Sequence, residues 1–320
     1  MMKKVLVLVL VIVFCMAMTA CGESPNTDNT APDDNQASTC PNPGDPIRFA
    51  SFGDTAGISI GNLIMQALIA NGYEVQDCGG MDVYTFRDAL IANELDMVMD
   101  YEGDAPSYMD VEDLEPFKKY MEGWQLVADW DLENNGLVWF EPSIANNVGV
   151  IVCRKDTAEA NNLNNFGDFA EYVKNGGETL LVGPSFWIDG DYKFLLMEAA
   201  YDFKLDRETQ VIYAEGTNER MCAEGVDGVN FAVAWAHAGS LNALDMCYLV
   251  DEEETTMRYS YCPVIRADVL EKYPEIRDIV EPIIKEVTDE DARWLAEQVE
   301  VEGRSGADVA IEYLTEHGWI

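Results

Sequence analysis

Histidine is almost missing from this chain, with two in 320 residues, and positive charge is scarce: 20 Lys and Arg face 59 Asp and Glu, a formal net charge of −39. The first shortage removes the usual zinc ligands, and no two of the eight cysteines stand in a CxxC spacing that could replace them. The second argues against nucleic acid as a partner, because phosphate binding needs a basic surface. There is no GxxxxGK phosphate loop, no HExxH helix and no GxSxG elbow. Scattered acidic pairs carry no signal against so many acids. The chain therefore reads as a binding protein and not an enzyme, with no cofactor or metal implied. Beyond residue 46 no apolar run is long enough to span a bilayer.

What the sequence does contain begins at its leader. Lys3 and Lys4 precede an apolar run from Val5 to Met18, followed by "MTACG". A charged start, a short apolar core and small residues before a cleavage point describe a secretory signal over residues 1–20. Cys21 stands where a bacterial lipoprotein carries its lipidated cysteine, and residues 21–46, rich in Pro, Asn, Asp, Ser and Thr, read as a flexible tether. The expectation is a globular body on the extracytoplasmic face of a cell membrane, held by a lipid. Six cysteines remain outside the leader and lipid site, and an extracytoplasmic setting permits them to form disulfides.

The body alternates strand and helix from its first residues. "PIRFASFGDTAGISIGNLIMQALIANGYEV" reads as a strand over Ile47 to Ser51, a helix capped by Asp54 or Thr55 and running to about Ala70, and a second strand. A helix from Tyr84 to Ala92 leads to a strand ending at Tyr101. A helical region is expected over Val111 to Glu122, and a doubly buried strand over Val148 to Cys153. Such alternation implies parallel α/β layers with ligands at the C-terminal ends of the strands. The strand ending at Tyr101 delivers Asp100, Tyr101, Glu102 and Asp104 to one turn. That combination suits either an ordinary acidic turn or a pocket for a cation, with the ring supplying a π-face and the carboxylates a negative field.

Four dispersed motifs resemble the solute-binding proteins of ABC importers for glycine betaine, choline and related osmoprotectants. They are "FGDTAGISIGNLIMQALIANGYEV" with "ALIANELDMVMDYEG", "VWFEPSIANNVGVIVCRKD", "VNFAVAWAHAGSL" and "YCPVIRADVLEKYPEI". The branch they most resemble is that of the low-affinity osmoprotectant importers. The resemblance implies an α/β type II periplasmic-binding-protein fold, two lobes joined by a two-segment hinge with the ligand cleft between them. Lobe 1 would hold residues 46–144 and 264–320, and lobe 2 residues 145–263. Cys153 and Cys262 would then lie near the hinge as a pair to test. The implied partners are a small quaternary amine, membrane permease and ATPase subunits, and the membrane through the lipid anchor.

A quaternary ammonium has no N–H to donate, so ring faces and diffuse negative charge must hold it. The resemblance places Tyr101 and Trp235 in such a cage. Thr55 and Met81 fall at lobe 1 turns facing the cleft, Thr55 alternatively as a helix cap. Asn147, beside Asn146, either touches ligand or caps the hinge. His237 is read as a solvated histidine or a pH-sensitive gate. The chain departs from the family at Gly149 and Met221, where an aromatic is usual, and at Trp187, where many members carry a carboxylate-clamping arginine. Asp104 replaces a neutral residue. Those changes favour a choline-like cation over zwitterionic betaine. The alternatives are a receptor for another cationic amine or an amino acid, or a sensory or adhesion lipoprotein that reuses the fold.

Overall fold

The computed structural model describes residues 41–320 apart from 192, 215 and 216. The signal, Cys21 and the tether as far as residue 40 lie outside the described residues. Asn42 is already docked: its Nδ2 donates to the Glu74 carbonyl at 2.9 Å and its Oδ1 accepts from Glu74 N–H at 2.8 Å. Folded structure thus begins a few residues before the expected end of the tether.

Two five-stranded sheets organise the chain. The first contains β1 (Ile47–Phe52), β2 (Val75–Met81), β3 (Met97–Tyr101), β4 (Leu137–Trp139) and, from much later in the chain, β10 (Tyr261–Arg266). The second contains β5 (Gly149–Arg154), β6 (Leu181–Gly183), β7 (Val211–Tyr213), β8 (Phe231–Trp235) and β9 (Met246–Leu249). Their orders are β2-β1-β3-β10-β4 and β7-β6-β8-β5-β9. In each, three strands run parallel and the fourth and fifth run antiparallel to their neighbours. The two orders superpose strand for strand, a repeat of topology that no sequence repeat announces. The chain passes between the sheets twice, over 140–148 and 250–260. β10 belongs to the first sheet from Tyr261, three residues before the expected boundary.

Burial explains why these segments are strands. All five residues of β3 are buried, as are the first five of β5 and of β10, so both faces of each strand need apolar side chains. Pro263 sits inside β10 at a position that ordinarily exchanges two backbone hydrogen bonds with Phe140. Its carbonyl accepts from Phe140 N–H at 2.9 Å. The Phe140 carbonyl, denied an N–H by the proline, accepts Trp124 Nε1–H at 2.8 Å instead.

The helix expected over 111–122 is displaced. A 3₁₀ turn, Glu102–Ser107, precedes this region, a second, Glu115–Lys118, lies within it, and the α-helix runs Glu122–Asn135. Pro116 starts the second turn, and Gly123 lets the new helix close onto Phe117, whose Cα would lie 2.7 Å from an added Cβ. The five described cysteines are all free. Cys153 belongs to the core of the second sheet and Cys262 to that of the first, so the suggested pairing does not occur.

Two of the three carboxylates at the Tyr101 turn are structural. Asp100 points inward at Arg87, 3.6 Å away, which also makes a two-armed pair with Asp131 at 2.8 and 3.0 Å. Glu102 accepts Ser260 N–H at 2.7 Å, tying β3 to the returning chain. Burial pushes the Glu102 carboxyl from its usual 4.5 to about 7. A raised folded value means that the protonated form contributes stability in full below about 4.5, which is lost as pH rises through about 7. In urea titrations across that window, wild type is expected to lose on the order of 3 kcal/mol relative to Glu102→Gln. Parallel pH profiles for the two proteins would contradict this.

Candidate functional site

The C-terminal ends of the parallel strands of both sheets face one cleft. From the first sheet come Phe52 at the end of β1, Gly53 and Asp54 after it, and Met81 at the end of β2, with Tyr101 at the end of β3 buried against Phe52. From the second come Pro184 and Phe186 after β6, and Trp235 at the end of β8. Two cavities record the cleft, one of about 230 Å³ lined by Asp54, Thr55, Asn218, Glu219 and Trp235, the other of about 570 Å³ lined by Phe52, Met81, Phe186 and Trp235.

Aromatic rings converge here. Tyr101 lies 5.0 Å from Phe52, 5.3 Å from Tyr261 and 6.1 Å from Tyr259, ring centre to ring centre. Across the cleft Phe186 and Trp235 stack at 6.5 Å. Between the two groups stands a cation that belongs to the chain: Lys193 Nζ lies 5.1 Å from the Tyr259 ring, 5.5 Å from Phe186 and 5.9 Å from Trp235. It donates a hydrogen bond to the Tyr259 hydroxyl at 3.2 Å. Burial lowers the Lys193 pKa, with the Asp104 charge opposing. Burial also raises Asp104 to about 6, Lys193 opposing. Of the turn's carboxylates, Asp104 is the one whose charge acts on Lys193.

Behind the rings a polar network crosses the hinge. Asn147 Nδ2 donates to the Tyr101 hydroxyl at 3.1 Å, and its Oδ1 accepts His237 N–H at 3.1 Å. The Tyr101 hydroxyl also lies 3.5 Å from Asp54 Oδ2. His237 is fully buried, its Nε2 2.9 Å from Asp289 and its Nδ1 2.7 Å from the Tyr261 hydroxyl. Burial lowers the His237 pKa, while hydrogen bonds from His237 and from Asn146 N–H hold Asp289 below the usual range against its own partial burial. A neutral imidazole that donates Nε2–H to Asp289 and accepts a hydrogen bond from the Tyr261 O–H at Nδ1 satisfies both ends. The histidine is neither solvated nor at a free gate. Asn146 and Asn147 bind the two crossing segments together: Asn146 Oδ1 accepts Tyr259 N–H at 2.8 Å, and Asn147 N–H reaches the Tyr259 carbonyl at 2.9 Å.

The remaining expected residues divide. Thr55 and Met81 line the cleft, the cap of the helix Thr55–Ala70 being Asp54. Met221 turns away from it into a core of the second lobe, while Asn218 and Glu219 of the same helix face it. Trp187 is 2 % exposed and packs against Phe194, 5.3 Å away. A Cβ on Gly149 would fall 2.0 Å from its indole Nε1, so Trp187 occupies the space that a side chain at 149 would need. The two departures at 149 and 187 are one exchange, and they put Trp187 in the core of the lobe instead of the cleft.

Sequence reasoning passed over Phe186, Lys193 and Tyr259. Neighbouring residues on a helical turn point about 100° apart, so one ring of "FW" had to face away from the core; it is Phe186, 52 % exposed. The alternation Tyr259, Tyr261 is the signal for two rings on one face.

Two α/β lobes, a double crossing and a ring-lined cleft between strand ends define a two-lobed solute-binding protein of the periplasmic type. A family model described as the substrate binding domain of ABC-type glycine betaine transport systems matches residues 45–316, and the chain belongs to that family, whose members bind solutes and are not enzymes. It is 30% identical over 280 residues to the glycine betaine-binding protein YehZ of Escherichia coli K12, covering 86% of this chain and 91% of that protein. The solved apo form of YehZ superposes with a TM-score of 0.71 over 86% of this chain and 99% of that one. A structure described as a glycine betaine/carnitine/choline ABC transporter also gives 0.71 over 85% and 99%, at 16% identity, and supports the fold alone.

Replacing Tyr101 by Phe removes the hydroxyl between Asn147 and Asp54. Leaving the buried Asn147 amide short of an acceptor is expected to cost about 1–3 kcal/mol in urea unfolding with unchanged far-UV circular dichroism. An unaltered unfolding midpoint would take the hydroxyl out of the network.

Proposed function

We propose that this chain is the extracytoplasmic receptor of an ABC importer for a small quaternary ammonium solute of the betaine or choline type. It would hand that solute to membrane permease subunits driven by a separate ATPase. The observation that carries the reading is the arrangement of Tyr259, Phe186 and Trp235, with Tyr101 packed behind Tyr259. Rings from lobe 2 and from the crossing segment surround a point already occupied by an ammonium group. Rings of this kind hold a cation that offers no N–H, each desolvated contact contributing up to about 2 kcal/mol. Residues from two lobes around one point also make ligand binding and lobe closure a single event. Asn147 supports Tyr101 from behind, Asp104 supplies negative charge, and Thr55 and Met81 complete the lobe 1 wall. Family membership and the glycine betaine-binding relative favour the same class of ligand.

Residues 41–320 screened by thermal shift against betaine, choline, carnitine, ectoine and amino acids should be stabilised by at least one quaternary amine, since a ligand bound only by the native state raises its melting temperature. Calorimetry of Trp235→Ala and Tyr259→Ala should then show affinity reduced about tenfold or more each. Stabilisation by an amino acid alone would replace this reading with the amino-acid receptor.

The membrane anchor rests on Cys21 and its leader. Among the described residues no helix is long and apolar enough to cross a membrane. Cys21→Ser is expected to move the protein from the membrane to the soluble fraction, because a lipid on Cys21 is the proposed attachment. Full retention on membranes would contradict the anchor.

A further inference from the structure

Lys193 presents a physical difficulty for any ligand of this cleft. Its ammonium is within 6 Å of three ring centres, which is the place a ligand's cationic head would take. Two positive charges cannot share that space at low cost, since like charges a few ångströms apart repel strongly in a partly desolvated cleft. The charges around it come from every side of the cleft. Asp104 follows β3, and Asp54 follows β1 with its oxygen 3.5 Å from the Tyr101 hydroxyl. Glu102 lies behind the wall, spent on Ser260 N–H and on the Cys262 thiol. Asp104 is the carboxylate whose charge reaches Lys193, and the Lys193 hydrogen bond within the cleft goes to Tyr259.

We propose that Lys193 determines the charge specificity of the cleft, selecting zwitterionic quaternary amines that bring a carboxylate over simple cations that do not. This deepens the proposed function and rests on it. A zwitterion can displace the lysine from the rings and pair with it at once, its ammonium head entering the cage and its carboxylate receiving the Nζ donors. The lysine then exchanges ring contacts for a charge-assisted hydrogen bond. A cation such as choline must evict the same ammonium and offers only a hydroxyl in return. The carboxylate partner that the sequence lacks at Trp187 is thereby supplied from Lys193, a few residues further on, and the preference runs from cation toward zwitterion, opposite to the reading from positions 104 and 187 alone. Specificity of this sort is a difference of two affinities, built partly from a repulsion.

Calorimetry of glycine betaine and choline against residues 41–320 in wild type, Lys193→Met and Lys193→Arg tests the assignment. Methionine keeps much of the length and apolar bulk without the charge, and arginine keeps the charge. Wild type is expected to prefer betaine. Lys193→Met should shift the choline-to-betaine affinity ratio at least tenfold toward choline, with choline tighter in absolute terms, and Lys193→Arg should retain the wild-type preference. Binding of both ligands with the ratio unchanged in Lys193→Met overturns the role of Lys193 and leaves the proposed function standing. Failure of both ligands to bind any of the three folded proteins, as judged by circular dichroism and thermal melts, overturns the ligand reading and this assignment with it.

Discussion

Asn147 sits where the two crossing segments run side by side, and its side chain must be satisfied inside the protein. It is 4 % exposed, and its amide reaches the Tyr101 hydroxyl on one side and the His237 backbone on the other. Buried polar groups of this kind are costly when left unpaired and directional when paired. Much of the site's geometry hangs on the pairing. Tyr101 is held steeply inclined to the rings of Phe52 and Tyr259, the β8 turn is held against the hinge, and His237 carries the chain of hydrogen bonds on to Tyr261 and Asp289. One of the lobe 1 walls, the hinge and the start of the lobe 2 turn are therefore registered to one another.

That registration explains how a ring cage can be assembled from distant parts of the sequence. Tyr101 ends a lobe 1 strand, Tyr259 belongs to a crossing segment, and Phe186 and Trp235 close lobe 2 strands. The four act together only if the segments are placed to within a fraction of a ring's width. The hinge network supplies this for three of the segments. Lys193 adds a positive charge among the rings, and the Asp104 charge acts on it. The acidic surface, at −39 over the full chain, favours cations in a general way. Discrimination between cations and zwitterions needs a local charge such as that of Lys193.

Much of the fold was legible because strand and helix periods were clear. The apolar runs at 47–51, 97–101 and 149–153 are strands, and the helix capped at Asp54 runs to Ala70 as the pattern predicts. The helix at 122–135 was not legible, because it buries only Gly123, Val127 and Asp131 and so lacks an apolar stripe. In the site, Tyr101 and Trp235 were legible as strand-end aromatics; Trp235 lines the cleft, while Tyr101 is buried against Phe52, which does. Trp187 was misplaced because its indole answers to an absence at Gly149, a contact between residues far apart in sequence. Lys193 was passed over for a similar reason. Nothing in "DGDYKF" distinguishes it from a solvated surface lysine, and only the fold brings it between Phe186, Trp235 and Tyr259. The carboxylates at 100, 102 and 104 were read as one group, yet Arg87 and Ser260 claim the first two from opposite sides.

The central claim is that ring faces hold a positive charge, and the most direct measurement replaces that charge alone. In 3,3-dimethylbutanoate a carbon stands where glycine betaine has its quaternary nitrogen, while shape and carboxylate are kept. Titrated by calorimetry into residues 41–320, betaine is expected to bind at least tenfold more tightly than this isostere, because desolvated cation–π contacts of about 1–2 kcal/mol are lost with the charge. Equal affinities for the two would mean that the cleft recognises shape and carboxylate only, and the account of a cation cage would be wrong.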